Sequence, residues 1–258
     1  MLSINHLWKG FNIGTEHELS VFKDFSFTVE KGTTVAILGP NGCGKSTMFN
    51  LISGSLDADA GELWLDDINL SKTKEKDRSR YIGKVSQDPS RGVAPTLTIE
   101  ENLAFSLKKG KSLKMKKLLN KNEQREYFKE ILKTLDLGLE NQLQTEVRFL
   151  SGGQRQALSL LMATIVAPKL LLLDEHTAAL DPKTSKLIMN MTKDLIEEKD
   201  MTTLMISHNL SDAVRFSDRI VMLNGGKVVL DIDSDSITEE ELYSLYNKQI
   251  EDDIEFTV

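Results

Sequence analysis

The sequence predicts an α/β fold built on a mostly parallel sheet with helices on both faces. Two observations point to it. Short runs that are apolar throughout, such as VAIL at 35–38 and LLLL at 170–173, suit strands buried on both faces. Between such runs the apolar spacing turns helical, so strands alternate with helices, as in parallel strands joined by crossover helices. At 258 residues, with 40% hydrophobic and 28% charged side chains, the chain has an ordinary globular composition and room for one large domain or a domain with an insertion.

Taken in order, residues 1–36 hold short apolar or aromatic runs separated by the turn-like GFNIGTEHE and EKG. They read as an antiparallel β-subdomain, clearest at FSFTV, where Phe25, Phe27 and Val29 alternate with polar residues. After the glycine-rich GPNGCGKST at 39–47 come a helix to about Leu56, a turn at DADAG, a strand at ELWLD and another through YIGKVSQ. From about Asn102 to Leu137 the pattern is helical and lysine-rich. It interrupts the alternation, so a helical subdomain of about residues 88–160 is expected as an insertion in the core. A helix after LSGGQ, a strand at LLLLDE, a helix from Pro182, a strand at TTLMIS and one or two strands in RIVMLNGGKVVL complete the series.

Residues 231–258 carry ten acidic side chains against the single Lys248, and read as an acidic tail: the helix TEEELYSLYNKQI, then a disordered end. The remaining 230 residues hold 31 basic and 29 acidic side chains, which supplies no field for nucleic acid. A second charge run, 108–121, has seven lysines and no acid; it reads as a solvated helical face or an arm near anionic lipid. No apolar stretch approaches the ~20 residues of a membrane-spanning helix, and no secretory leader is apparent, so a cytosolic chain is expected. Cys43 is the only cysteine, which excludes an internal disulfide.

The glycine loop is a poor helix start on propensity grounds, yet it joins a strand to a helix. Gly39, Gly44, Lys45 and Ser46 fit G-x-x-x-x-G-K-[ST] in that setting, which marks a P-loop. Its glycines let backbone amides of 39–47, including Asn41, Gly42, Cys43 and Thr47, turn inward around phosphate. Lys45 reaches the terminal phosphates, and the Ser46 hydroxyl can ligate Mg²⁺. At the exit of LLLLDE, Asp174 is placed to hold Mg²⁺ through its waters and Glu175 to polarise an attacking water. LSGGQ at 150–154 puts Ser151, Gly152, Gly153 and Gln154 at a helix N-terminus, a second anion site or a plain cap.

With these elements in this order the chain resembles the ATP-binding subunits of ABC transporters over nearly its whole length. Gln87 in VSQD matches that family's Q-loop, ALD at 179–181 its D-loop, and His208 in MISHN its switch histidine. The resemblance implies a RecA-like core. It also implies a homodimer sandwiching two ATP, each held by the P-loop of one chain and the Ser151–Gln154 stretch of the other, with Asp181 counted among the nucleotide-binding residues. Gln87 would ligate Mg²⁺ and water, and His208 would hold the transition-state geometry with Glu175. Phe11 is the expected adenine platform, with Trp8 as alternative. Partners would be a membrane permease at the cytoplasmic face and an extracytoplasmic substrate-binding protein.

Three departures from the family's usual wording stand out: Cys43 where serine is frequent, His176 where proline is common, and Ala178 where the D-loop usually has serine. The strings LLLDEHTAALDPKTS and QDPSRGVAPTLTIEENLAF resemble a branch of importers of tryptophan-type or related solutes. An exporter ATPase, a soluble non-transport ABC ATPase and a P-loop kinase are the rival readings; LSGGQ and His208 speak against the last.

Overall fold

The computed structural model describes residues 1–109 and 121–255. Two sheets form the frame. The first is four-stranded and antiparallel, in the order β2-β1-β4-β5: β1 (Leu2–Phe11), β2 (Leu19–Val29), β4 (Ala60–Leu65) and β5 (Ile68–Asn69). The second is six-stranded, in the order β10-β9-β3-β8-β7-β6: β3 (Thr34–Leu38), β6 (Ile82–Val85), β7 (Leu170–Asp174), β8 (Thr202–Ile206), β9 (Arg219–Asn224) and β10 (Lys227–Asp233). Its strands are parallel except for β10, which turns back on β9.

The all-apolar runs become the central strands for the reason given by their composition: all five residues of β3 and of β8 are buried. Alternate side chains then serve two cores. Val35, Ile37, Leu170, Leu172, Leu204, Ile206 and Val221 face the antiparallel sheet and α1 (Lys45–Ser53). Ala36, Leu38, Leu171, Leu173, Met205 and Met222 face α5 (Gly152–Thr164), α6 (Pro182–Lys199), α7 (Leu210–Phe216) and α8 (Glu239–Glu255). A third core joins the inserted helices α3 (Ile99–Lys109) and α4 (Lys121–Lys133) to α5 and α6 through Leu103, Phe128, Leu132, Leu158 and Ile188.

Several boundaries differ from the sequence reading. Residues 34–36 belong to the central sheet, whereas ELWLD supplies β4 of the antiparallel sheet: a strand's sheet is fixed by distant partners, here Leu63 and Leu65 against Ile4 and Leu2. The first helix stops at Ser53, because Gly54 adopts φ 87° and closes a left-handed cap. The strand in YIGKVSQ covers only 82–85. The acidic segment does not begin as a tail: Asp231 and Asp233 lie in β10, where both oxygens of Asp231 accept from the Arg219 guanidinium at 2.6 Å. The α8 helix is docked by the fully buried Leu242. The same helix runs on through Glu255, past Ile250, beyond which the sequence reading expects a disordered end. Most of the lysine run, 110–120, lies outside the described residues, as do 256–258.

Candidate nucleotide site

Four of the parallel strands deliver their C-terminal ends to one edge of the central sheet. β3 leads into the glycine loop at Gly39, β6 into Gln87, β7 into Asp174 and Glu175, and β8 into His208. The register makes these ends neighbours: Val85 pairs with Leu173, Asp174 with Ile206, and Ile37 with Ile206. Ligand sites in open α/β sheets lie at such carboxyl ends.

The glycine loop is built for close approach. Gly39 has φ 141°, and a Cβ there would meet the Leu223 carbonyl oxygen at 2.2 Å. Gly44 has φ 110° and sits where a Cβ would meet the Phe22 ring at 2.8 Å; it precedes α1 as the N-cap residue with no side-chain cap. The first N–H groups of α1 are therefore left to the loop, with no acidic side chain in the first turn to compete for an anion. Lys45 is buried, and its ammonium donates to the Gly39 and Pro40 carbonyls at 2.7 and 2.9 Å, with Cys43 Sγ at 3.9 Å. Burial pushes the Cys43 thiol up from its ordinary pKa, against the opposing pull of Lys45, so it is a neutral filler of the loop.

The far end of α1 is fixed by a residue that sequence reasoning missed. Arg78, in the short helix α2 (Glu75–Arg78), is buried; its Nη1 donates to the Leu51 and Ile52 carbonyls at 2.5 and 3.0 Å, and its Nε to Thr73 O at 2.8 Å. A cation on the last carbonyls of a helix complements its dipole. Nothing in KDRSR signals this, since the contact spans 27 positions.

Asp174 is half-buried, and desolvation pushes its carboxyl above the ordinary range, opposed chiefly by the Lys84 charge. Glu175 has φ 48°, a left-handed conformation uncommon for a residue with a side chain, stabilised by its N–H on Ile206 O at 3.1 Å and by Ala178 N–H on its own carbonyl at 3.0 Å. Its Oε1 lies 2.7 Å from His208 Nε2. Gln87 is exposed two residues beyond β6. Beside this edge a cleft of about 1490 Å³ opens between Glu175, His208 and the α8 residues Tyr243 and Tyr246.

The structure brings together the P-loop, Gln87, Asp174, Glu175 and His208, and leaves LSGGQ elsewhere. Leu150 belongs to the helical core, whereas Cys43 and Met48 belong to the core under the P-loop. Ser151 and Gln154 are engaged with each other as a reciprocal cap of α5: the Ser151 hydroxyl accepts from Gln154 N–H at 3.2 Å, and Gln154 Oε1 accepts from Ser151 N–H at 3.0 Å. Gly153 is where α5 meets α6, for a Cβ would lie 2.4 Å from Thr184 Cγ2. Asp181 caps α6, accepting from Thr184 N–H at 3.1 Å, and the Thr184 hydroxyl first and that N–H second hold its carboxyl below the ordinary range. Phe11 packs half-buried on the core beneath the P-loop, its ring under Lys9 Nζ at 5.4 Å, whereas Trp8 is exposed.

Residues 22–178, more than half of the chain, match the family model described as ABC transporter. The chain belongs to the ABC transporter family. It is an ATP-binding, ATP-hydrolysing subunit. A tyrosine transport ATP-binding protein of Clostridioides difficile is 42% identical over 94% of this chain and 97% of its own. The phosphonates import ATP-binding protein PhnC of Wolinella succinogenes is 32% identical over 96% and 89%. Among solved structures, a dimeric structure of a post-hydrolysis state of an ATP-binding cassette bound to ADP and Pi superposes with a TM-score of 0.77 and 30% identity, covering 91% of this chain and 99% of that one.

As a nucleotide-binding cassette the chain fits its cofactors. The glycine cradle, too crowded for any Cβ at Gly39 or Gly44, admits phosphate oxygens against backbone. Among the described residues no cluster of three His, Cys, Asp or Glu forms a metal cage. Mg²⁺ takes one or two protein oxygens and otherwise phosphate and water, and the half-buried Asp174 carboxyl at this sheet edge is such an oxygen donor. No helix among the described residues is long and apolar enough to cross a membrane.

Proposed function

We propose that this ABC ATPase works as one half of a homodimer that closes on two ATP and drives a separate membrane permease importing an amino acid or similar small solute. The convergence of Lys45, Gln87, Asp174, Glu175 and His208 on one sheet edge, with LSGGQ on another core, carries the dimer reading: one chain supplies only part of a closed site. Ser151, Gly152, Gly153 and Gln154 would complete the site of the partner copy, with Asp181 beside it. Similarity to a tyrosine transport ATP-binding protein and to a phosphonates import protein supports the import direction and the small-solute class. The chain would lie peripherally on the cytoplasmic face of the membrane, with an extracytoplasmic binding protein feeding the permease.

In this reading Ser46, Asp174 and Gln87 would hold Mg²⁺, which would offset phosphate charge when bound. Lys45 leaves its two carbonyl partners for the terminal phosphate. Glu175 orients the attacking water, and His208, already 2.7 Å from its carboxyl, keeps that carboxyl and the γ-phosphate in line. Phe11 stacks the adenine.

Glu175→Gln tests the mechanism. The variant is expected to bind ATP normally, hydrolyse it at least a hundredfold more slowly and accumulate as a dimer; turnover near the wild-type rate would remove Glu175 from this role. Recovery of the tagged chain from detergent-solubilised membranes with ATP and vanadate tests the assembly. A polytopic permease should accompany it, and recovery alone at full ATPase activity would favour a soluble ABC ATPase.

A further inference from the structure

The loop from 174 to 181 carries Glu175, yet only one of its residues is buried: His176. Its neighbours are half-buried or exposed, and the loop turns twice in succession, with Ala178 N–H on Glu175 O and Leu180 N–H on Thr177 O. Glu175 itself sits at φ 48°, a conformation that persists only where the surroundings enforce it. On one side its N–H is tied to β8 through Ile206 O. On the other side the tie is a side chain. His176 Nε2 lies 3.1 Å from Thr192 Oγ1 in the middle of α6, and Thr192 Oγ1 donates its own proton to Ile188 O at 2.7 Å. With that proton committed, the hydroxyl offers His176 a lone pair, which fixes the imidazole as the Nε2–H tautomer. Both side chains are 2% exposed, so water offers no alternative partner.

We propose that the buried His176–Thr192 hydrogen bond is a positioning device for the hydrolysis step, holding the Glu175 turn against α6 so that the carboxylate meets the attacking water in line. This deepens the reading above and rests on Glu175 acting on that water. His176 is buried, and its part in this proposal is to act through Glu175. A carboxylate set about 1 Å off its place loses roughly two orders of magnitude in rate. Partial loosening of the turn should therefore show in kcat, whereas ATP, gripped by the P-loop, should bind as before.

The variants are Thr192→Val, which keeps the shape and removes the acceptor, Thr192→Ser, which keeps the hydroxyl, and the double change Thr192→Val with His176→Leu, which removes both polar partners together. T192V should lose about tenfold in kcat with the KM for ATP within twofold, and T192S should retain most of kcat. The double variant should recover thermal stability, because no buried donor is left unpaired, while kcat stays low. If T192V does not fold, the double variant carries the test. In an E175Q background T192V should add no further loss. Wild-type kcat in T192V, or a kcat that returns with stability in the double variant, would overturn the proposal and leave His176 as core filling. Failure of the parent reading looks different: E175Q itself would then hydrolyse ATP rapidly.

Discussion

Replacing Gly39 by Ala should unfold the nucleotide loop from within, and the cost can be worked from two separate sources. At φ 141° an alanine is strained, at about 1–3 kcal/mol. Its Cβ would also be driven against the Leu223 carbonyl oxygen, 2.2 Å away, and that backbone atom cannot rotate aside; forcing β9 outward adds about 1–3 kcal/mol. Gly42→Ala is the control, since Gly42 has φ 83° but nothing within 4 Å of a new Cβ, leaving only the backbone cost of about 1–2 kcal/mol. Urea denaturation of the nucleotide-free proteins should thus place G39A roughly 2–6 kcal/mol below wild type and G42A clearly nearer to it. Against the about 5–15 kcal/mol typical of a folded domain, the larger loss is severe. Equal midpoints for the two variants would refute the claim that contact with β9, beyond the φ value, is what makes Gly39 obligatory.

Phe11→Ala should weaken ATP binding about tenfold, the loss of one base-stacking contact of roughly 1–3 kcal/mol, while Trp8→Ala stays within twofold by calorimetry; equal losses would strip Phe11 of the platform role. Arg78→Met should cost about 2–4 kcal/mol in chemical denaturation by leaving the Leu51, Ile52 and Thr73 carbonyls unpaired, and Arg78→Lys should recover less than half, because one ammonium cannot span all three. Asp66, bonded first by Lys169 and then by the Met1 amino group, has its carboxyl pulled down to about 2 from 3.8. Its folded pKa is the lower one, so its contribution, roughly 1 kcal/mol after discounting for exposure, is whole above about pH 4 and lost as pH falls toward 2. Asp66→Asn should therefore differ from wild type at pH 7 and converge with it in acid melting curves; a gap that persists at pH 2 would assign the difference to shape.

The central sheet and the residues at its strand ends were legible because they are encoded locally. VAIL, LLLLDE and TTLMIS carry their own burial, and the turn at Gly39 and Gly44 is marked by glycines only a strained backbone needs. The order of those runs then places Asp174, Glu175 and His208 at the same edge as the P-loop once the strands are parallel. What escaped was set by partners far along the chain. Leu63 and Leu65 join the antiparallel sheet through β1, some sixty positions earlier. Arg78 reads as one more charge in a polar stretch until α1 is laid beside it, and His176 reads as an oddity of wording until Thr192 comes within reach on α6. Asp231 and Asp233 counted toward a tail by charge alone, but every second residue of 227–233 is exposed, which makes the segment an edge strand.

That edge governs how molecules of this ATPase can stick to one another. Open sheet borders invite other strands to add on, the first step towards fibres and insoluble aggregates. Along β10 the exposed positions are Lys227, Val229, Asp231 and Asp233, so an incoming strand from a second molecule would have to strip water from three charges and repeat them in register. The border nevertheless stays ordered, because Arg219 clamps Asp231 from the adjacent strand. At high concentration, lateral growth of the sheet is thus discouraged at this border.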